Sequence, residues 1–317
     1  MPINFGKPHL WKADINASVD LFNQWFMLFA PKAYRDSRAA ATVQVGEEIR
    51  LTNELTALTP TVLRQHPGVL QALRMATCPP LARDRLIGLA YAGKNLVGVM
   101  EEKKAISLRM PVAILEENLT RIADVITRML DVDIFPWITT KQPPTEEERC
   151  RASTIVADRL CGAVSDPIVR NAQEKRQLDM IGEYLQARGY RLKAHPASKT
   201  IIQMEPGTFT FRMNVVVGTQ RKVNIPIDVV IQRKNPKPSG FPILIEAKSA
   251  GDFTNTNKRR KEEATKIAQL HAAHGKDVEF ILFLCGYFDS GYLGYEAAEG
   301  IDWIWEHRIS DLDQLGI

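Results

Sequence analysis

Long hydrophobic runs, paired cysteines and a secretion signal are all missing from this 317-residue chain. No apolar stretch approaches the roughly 18 residues that span a bilayer, and the first residues lack the basic and apolar regions of a signal peptide. The four cysteines form neither a C-x-x-C pair nor a zinc-binding spacing. We therefore expect a cytoplasmic protein with reduced thiols and no membrane contact.

Several catalytic signatures are missing as well. The sequence contains no glycine-rich phosphate-binding loop, no Ser/His/Asp hydrolase signature and no histidine cluster of the HNH-nuclease kind. These absences exclude the corresponding motif-based mechanisms. Any catalytic chemistry must come from other residues.

Positive charge is present but unevenly distributed. Residues 191–260 contain 13 Lys and Arg against 4 Asp and Glu, a balance of +9 in a chain whose net charge is +4. Charge concentrated in one segment indicates a polyanionic partner. The alternative interpretation is a solvated basic face without a partner.

The hydrophobic pattern changes near the middle of the chain. Residues 1–165 read as mainly helical, and a stretch rich in Pro, Thr and charge at 133–149 separates them from the second half. There, Ser165–Pro167 predicts a helix start. Further predicted elements are strands at 208–217, 222–232, 242–249 and 278–285 and a charged helix at 257–274.

This order predicts an α+β fold with an α/β-like core. We expect a helical N-terminal region over residues 1–165 and a second domain over 166–317, built on a mixed β-sheet flanked by helices.

Charged residues interrupt two otherwise apolar predicted strands. Asp228 lies in one, and Glu246 and Lys248 lie two residues apart, on one face, in the next. A turn at 233–240 lets the strands form a hairpin that brings Asp228 beside Glu246. Two adjacent carboxylates favour a hard divalent cation, although a salt-bridged cluster without metal is the alternative.

These residues resemble the PD-(D/E)XK nuclease superfamily, in the segments Pro226–Asp228 and Glu246–Lys248. One departure is Ile227, which separates the proline from the aspartate. Three longer segments resemble the XamI-type restriction endonucleases: Pro80–Ala90, Asn171–Leu178 and Glu246–Ala264.

The resemblance implies a magnesium-dependent type II restriction endonuclease in which manganese can substitute for magnesium. Asp228, Glu246 and the Ala247 carbonyl would hold the metal, and Lys248 would act on the attacking water or the scissile phosphate. Glu174, on the helix before the sheet, is a further candidate carboxylate, although it can also be read as a helix-surface charge.

Candidate DNA contacts follow the predicted catalytic strand. They are Lys258, Arg259, Arg260, Asn255 and Asn257. The Lys/Arg cluster can also be read as a solvated helix face.

The expected substrate is double-stranded DNA, cut by a homodimer of a bacterial restriction-modification system. A cognate DNA methyltransferase would be its genomic rather than its physical partner. The helical region would supply dimer contacts, base readout or both.

Two other functions stay open on the sequence alone. One is a repair or junction-resolving nuclease of the same superfamily. The other is a non-cleaving DNA-binding protein, against which the carboxylate pair argues because unneutralised acids repel DNA.

Overall fold

The computed structural model describes residues 2–106, 110–196, 200–218, 222–238, 240–254 and 256–317, and leaves out the side chains of residues 163–166 and 256–260. Two compact units are present. One is Ala30–Ile168, and the other combines Met1–Phe29 with Val169–Ile317. The sequence analysis placed all of residues 1–165 in one region, whereas the structure groups the first 29 residues with the C-terminal segment. The functional roles assigned to the two regions stay predictions.

Ten α-helices lie within the described ranges. In chain order they are α1 (Pro8–Leu51), α2 (Pro60–Gln65), α3 (Leu70–Met75), α4 (Arg83–Ala90), α5 (Lys94–Lys103), α6 (Val112–Met129), α7 (Trp137–Thr140), α8 (Glu146–Ala187), α9 (Thr256–His274) and α10 (Ser290–Ala298). Short 3-10 helices occupy Pro67–Val69, Ile201–Gln203 and Glu306–Leu315. None of the helices that the structure describes has the length and apolar character needed to cross a bilayer.

Helix α8 begins earlier than the sequence analysis predicted. We expected a helix start at Ser165–Pro167, but α8 begins at Glu146 and continues through Pro167. The cause is a capping box: Thr145 Oγ1 accepts a hydrogen bond from the Glu148 N–H at 3.2 Å, and Glu148 Oε2 accepts one from the Thr145 N–H at 2.8 Å. This reciprocal pair satisfies main-chain donors at the helix start.

The unit Ala30–Ile168 is built from helices around one apolar core. Helix α6 shows why: its buried residues Leu115, Leu119, Ile122 and Ile126 recur at three- and four-residue spacing and form one stripe. That stripe packs into a core shared with α2 to α5 and the ends of α1 and α8 that belong to this unit.

A six-stranded mixed sheet forms the centre of the other unit. Its strands are β1 (Arg191–Leu192), β2 (Thr208–Val217), β3 (Val223–Gln232), β4 (Ile243–Ala250), β5 (Phe280–Gly286) and β6 (Asp302–Trp305). They lie in sequence order. Strands β2, β3 and β4 are antiparallel neighbours, β4, β5 and β6 are parallel, and β1 is parallel to β2. The α+β prediction with a central mixed sheet is confirmed.

Both faces of the sheet are covered by helices. In β5, Leu282 and Leu284 share a core with α9 and α10, whereas Ile281 and Phe283 share a core with α8. The alternation follows from the two-residue period of a strand. Polar residues on these strands are therefore held in otherwise apolar surroundings.

The first residues of the chain belong to the sheet unit because they bind strand β6 directly. The Asp302 carboxylate accepts hydrogen bonds from the Asn4 N–H at 2.9 Å and the Phe5 N–H at 3.1 Å. Trp11 packs edge-on against Trp303, with ring centroids 5.5 Å apart. These contacts join segments about 300 residues apart, which local sequence patterns do not reveal.

Candidate active site

Strands β3 and β4 stop pairing at the predicted carboxylates. The last paired residues are Val229 and Ile245, so Asp228 and Glu246 are the next residues on either side of the widening gap. Asp228 Oδ2 accepts a hydrogen bond from the Ala247 N–H at 2.8 Å. The hairpin therefore brings the two acids together at the point where the main chain of β4 stops forming ladder hydrogen bonds with β3.

The surroundings of Asp228 disfavour its ionised form. Burial raises the pKa of Asp228, the negative charge of Glu246 raises it further, and the result is a pKa of about 6 instead of 3.8. The Ala247 N–H and the Lys248 ammonium lower it only in part, and Glu174 raises it again. Asp228 is thus an acid whose ionised form lacks enough positive charge around it.

Glu246 and Lys248 point to the α9 face of the sheet. Glu246 is buried, and its Oε1 lies 2.9 Å from the Lys248 ammonium. Burial lowers the pKa of Lys248, but Glu246 and Glu263 more than offset this, so the pKa is raised overall. Lys248 is therefore a charged donor in a largely dehydrated position.

Helix α9 adds two residues that the sequence analysis missed. The Lys266 ammonium lies 2.5 Å from Glu246 Oε1. Glu263 is 1% exposed, lies 3.8 Å from the Lys248 ammonium, and accepts a hydrogen bond from the Tyr292 hydroxyl at 2.7 Å. Both side chains come from one face of α9, one helical turn apart.

The signal that could have identified Glu263 is its spacing. Ile267 and Leu270 are buried core residues of α9, and Glu263 precedes them at i−4 and i−7, inside the same apolar stripe. A carboxylate in an apolar helix stripe, like a charge in an apolar strand, indicates a buried group that needs a charged or metal partner. No comparable signal distinguishes Lys266 from the other lysines of this helix.

Glu174 lies close enough to Asp228 to raise its pKa but is already paired. It accepts from the Arg212 guanidinium at 2.9 Å. Arg212 stands opposite Asp228, between the β2–β3 pairs Phe211–Val229 and Met213–Ile227. The charge of Glu174 reaches Asp228 and raises its pKa, and the role of Glu174 in the site stays a prediction.

Helix α8 also contacts strand β4 through Gln177. Its side-chain amide donates to the main-chain carbonyls of Lys248 and Phe283, both at 3.3 Å. This buried amide ties α8 to β4 and β5 at the position of the predicted catalytic lysine.

The geometry fits a divalent cation in two respects. Glu246 Oε2 is buried and has no hydrogen-bond partner among the described residues. The Ala247 carbonyl faces the same gap as its N–H, because both groups of a strand residue point to one neighbouring strand. These oxygens and Asp228 make a hard-ligand set of the kind that magnesium prefers.

The described side chains do not form a closed cage for a metal. Over the part of the chain that the structure describes, no group of three or more His, Cys, Asp or Glu side chains is arranged around a common metal position.

Comparison with known proteins identifies the family. Residues 53–305 match the model of the XamI restriction endonuclease family. The chain is 55% identical over 314 residues to the type II restriction enzyme SalI of Streptomyces albus G, with 99% of each chain covered. The chain belongs to the XamI restriction endonuclease family.

A more distant relative is the type II restriction enzyme XamI of Xanthomonas campestris pv. amaranthicola. It is 27% identical over 202 residues, which cover 64% of this chain and 66% of that protein. Among solved structures, protein VC1899 from Vibrio cholerae matches 80% of this chain and 55% of its own length at 13% identity. Its TM-score is 0.27, so the likeness carries no argument.

The match to the XamI family model spans the whole candidate site, from Glu174 on α8 to Lys266 on α9. It also takes in most of the helical unit. The prediction of the family from three sequence segments is confirmed.

The residues predicted to contact DNA lie in or directly before the first turns of α9. Asn255 lies outside the described residues. Asn257, Lys258, Arg259 and Arg260 fall in the first turns of α9, but their side chains lie outside the described part of the chain. Helix α9 connects them to the site, because Glu263 and Lys266 follow on the same helix.

Proposed function

We propose that this member of the XamI family is a type II restriction endonuclease that uses Mg²⁺ to hydrolyse phosphodiester bonds at specific sites in double-stranded DNA. Mn²⁺ would substitute for Mg²⁺. The observation that carries the proposal is the unpartnered, buried Oε2 of Glu246 next to Asp228. Two acids held together, one of them with an oxygen that has no hydrogen-bond partner among the described residues, fit a hard divalent cation, and the family name agrees with that chemistry.

Asp228 and Glu246 would hold the metal with the Ala247 carbonyl. When bound, the cation would supply positive charge against the phosphate and make a water molecule more acidic. Asp228 must be ionised to bind, so metal uptake requires the loss of its proton near pH 6. The hydrogen bond from the Ala247 N–H orients this carboxylate in advance.

Lys248 would donate to the attacking water or to a phosphate oxygen. Its ammonium is compact and carries three donors, so it can keep one contact with Glu246 while it turns another toward the substrate. Glu174 would add negative charge near Asp228, either through water or directly, after giving up part of its pairing with Arg212.

The helical unit and the start of α9 would recognise DNA. We assign phosphate or base contacts to Asn255, Asn257 and Lys258–Arg260. Cleavage of both strands at a two-fold site is most readily done by a homodimer, with dimer contacts, base readout or both supplied by the helical unit. The cognate methyltransferase would be a genomic partner, and the protein would act in the bacterial cytoplasm.

Digestion of a plasmid tests this function. We expect discrete fragments with Mg²⁺ or Mn²⁺, no cleavage in EDTA, and DNA binding without cleavage in Ca²⁺. A smear, or cleavage only at branched DNA, would instead support a repair or junction-resolving nuclease. Binding without cleavage under every condition would support a non-cleaving DNA-binding protein.

A further inference from the structure

One oxygen of Glu246 contacts two lysine ammonium groups, whereas the other contacts none among the described residues. Oε1 lies 2.9 Å from the Lys248 ammonium and 2.5 Å from the Lys266 ammonium. Oε2 is buried and lacks a hydrogen-bond partner within the described residues. The carboxylate that would bind the metal is therefore already neutralised by the protein's own cations.

The two lysines differ in what else they can bind. Lys248 also lies 3.8 Å from Glu263, whose carboxylate is fixed by the Tyr292 hydroxyl. Among the described side chains, Lys266 has Glu246 as its carboxylate partner and no second one within 4.0 Å. If Glu246 takes up a cation, Lys248 keeps an acidic partner and Lys266 does not.

Electrostatic repulsion would break the contact between Lys266 and Glu246 when a divalent cation binds Glu246. A divalent cation on Glu246 would repel an ammonium bound to the same carboxylate, and in a partly dehydrated site this repulsion is weakly screened. Lys266 is 23% exposed along its side chain and has a long flexible stem. It can therefore leave Oε1 for solvent, whereas Lys248 keeps Glu263 within 3.8 Å.

We propose that Lys266 is a positioning residue that competes with the divalent cation for Glu246 and is released when the metal binds. This inference rests on the proposed function, because it assumes that Glu246 is a metal ligand. In the metal-free protein Lys266 adds to the positive charge that Lys248 already supplies to this buried carboxylate. The consequence is a metal affinity that is lower than the two carboxylates alone would give.

Bound DNA would remove this competition. A backbone phosphate near the site offers the released ammonium a new anionic partner. Metal and DNA would then strengthen each other's binding, and this coupling is reciprocal. Loss of the Lys266 charge should raise metal affinity in the free protein and reduce the further gain that DNA produces.

The test is calorimetric titration of the DNA-free protein with Mn²⁺. For Lys266→Met we expect the dissociation constant to fall about tenfold, the change that about 1.4 kcal/mol produces. Lys266→Gln, which keeps a donor for Oε1 without the charge, should also bind Mn²⁺ more tightly. The matched control is Lys261→Met, an exposed lysine of the same helix, which should bind Mn²⁺ as the parent does.

Asp228→Asn separates the two hypotheses. Suppose that the parent binds Mn²⁺, that Asp228→Asn does not bind it, and that neither Lys266 variant binds it more tightly than the parent. Then the proposed competition by Lys266 is wrong, but the metal site is supported. If neither the parent nor the Lys266 variants bind Mn²⁺, the metal site itself is wrong and the inference fails with it. Tighter binding by the Lys266 variants, lost again when combined with Asp228→Asn, supports both.

Discussion

Asp228 Oδ2 accepts a hydrogen bond from the Ala247 N–H at 2.8 Å, across the gap where β3 and β4 stop pairing. This bond holds the aspartate beside Glu246 although the two charges repel. The fold thus keeps the two acids together although burial and the charge of Glu246 raise the pKa of Asp228 to about 6.

The first prediction concerns stability in the absence of metal. The pKa of Asp228 is about 6 in the folded protein and 3.8 ordinarily, so the folded state binds the proton more tightly than the unfolded state does. Stability should therefore fall as pH rises from about 4 through about 6, and stay lower above it. Asp228→Asn carries no charge and should escape this loss.

Thermal unfolding in EDTA checks this prediction. At a pH of about 8, Asp228→Asn should melt above the parent, and the difference should shrink toward zero at a pH of about 4. Asp277→Asn, a change at an exposed position, is the control and should show no such trend. An Asp228→Asn variant that melts below the parent at both pH values would contradict the account.

The second prediction tests whether Glu174 acts in cleavage itself or only through its ion pair with Arg212. Glu174→Gln should lower the cleavage rate about 10–100-fold, the usual effect of losing a group that supports a metal ligand. Folding should change little, because half-exposed pairs such as Glu174–Arg212 contribute about 0–1 kcal/mol. Arg212→Gln breaks the same pair, so equal losses in both variants would assign the effect to the pair itself.

The third prediction concerns the start of α9. If Lys258, Arg259 and Arg260 contact phosphates, replacing one of them with Ala should weaken binding to all sequences and lower the salt slope by about 1. If one of them reads a guanine, the loss should be about 1–3 kcal/mol at one base pair. Lys276→Ala, in the exposed turn after α9, is the control. Binding that stays unchanged at every salt concentration would show a solvated face.

The strands could be predicted because their signal is local. The predicted run 208–217 coincides with β2, and the runs at 222–232 and 242–249 differ from β3 and β4 by one residue. The latter two strands are consecutive and are joined by residues 233–242, so the prediction that Asp228 lies beside Glu246 needed only the two-residue period and a hairpin.

The places of Glu263 and Lys266 in the site could not be predicted, because they depend on long-range packing rather than on local sequence patterns. Glu263 and Lys266 reach the site only because α9 packs on one face of the sheet, which depends on the long-range pairing of β4 with β5. Helix α8 begins at Glu146 rather than at Ser165–Pro167 because the capping box of Thr145 and Glu148 starts it within a Pro- and Thr-rich stretch. The contacts of Asp302 with the first residues of the chain have no local signature.

Lys248 is the residue whose replacement tests the central claim most directly. Lys248→Met keeps the bulk of the stem, and Lys266 still neutralises Glu246, so folding and DNA binding should survive. The lost donor should slow the cleavage step about 10²–10³-fold. Lys248→Arg should not restore the full rate, because its planar fork does not occupy the place of a compact ammonium.

The measurement is single-turnover cleavage of a pre-bound duplex that contains the site mapped by plasmid digestion, started by adding Mg²⁺. Thermal unfolding and DNA binding in Ca²⁺ accompany it, so that a fall in rate is read only for folded, bound enzyme. The account predicts parent-like folding and binding with a rate about 10²–10³-fold lower for Lys248→Met. A folded, DNA-bound Lys248→Met that cleaves at the parent's rate would contradict it.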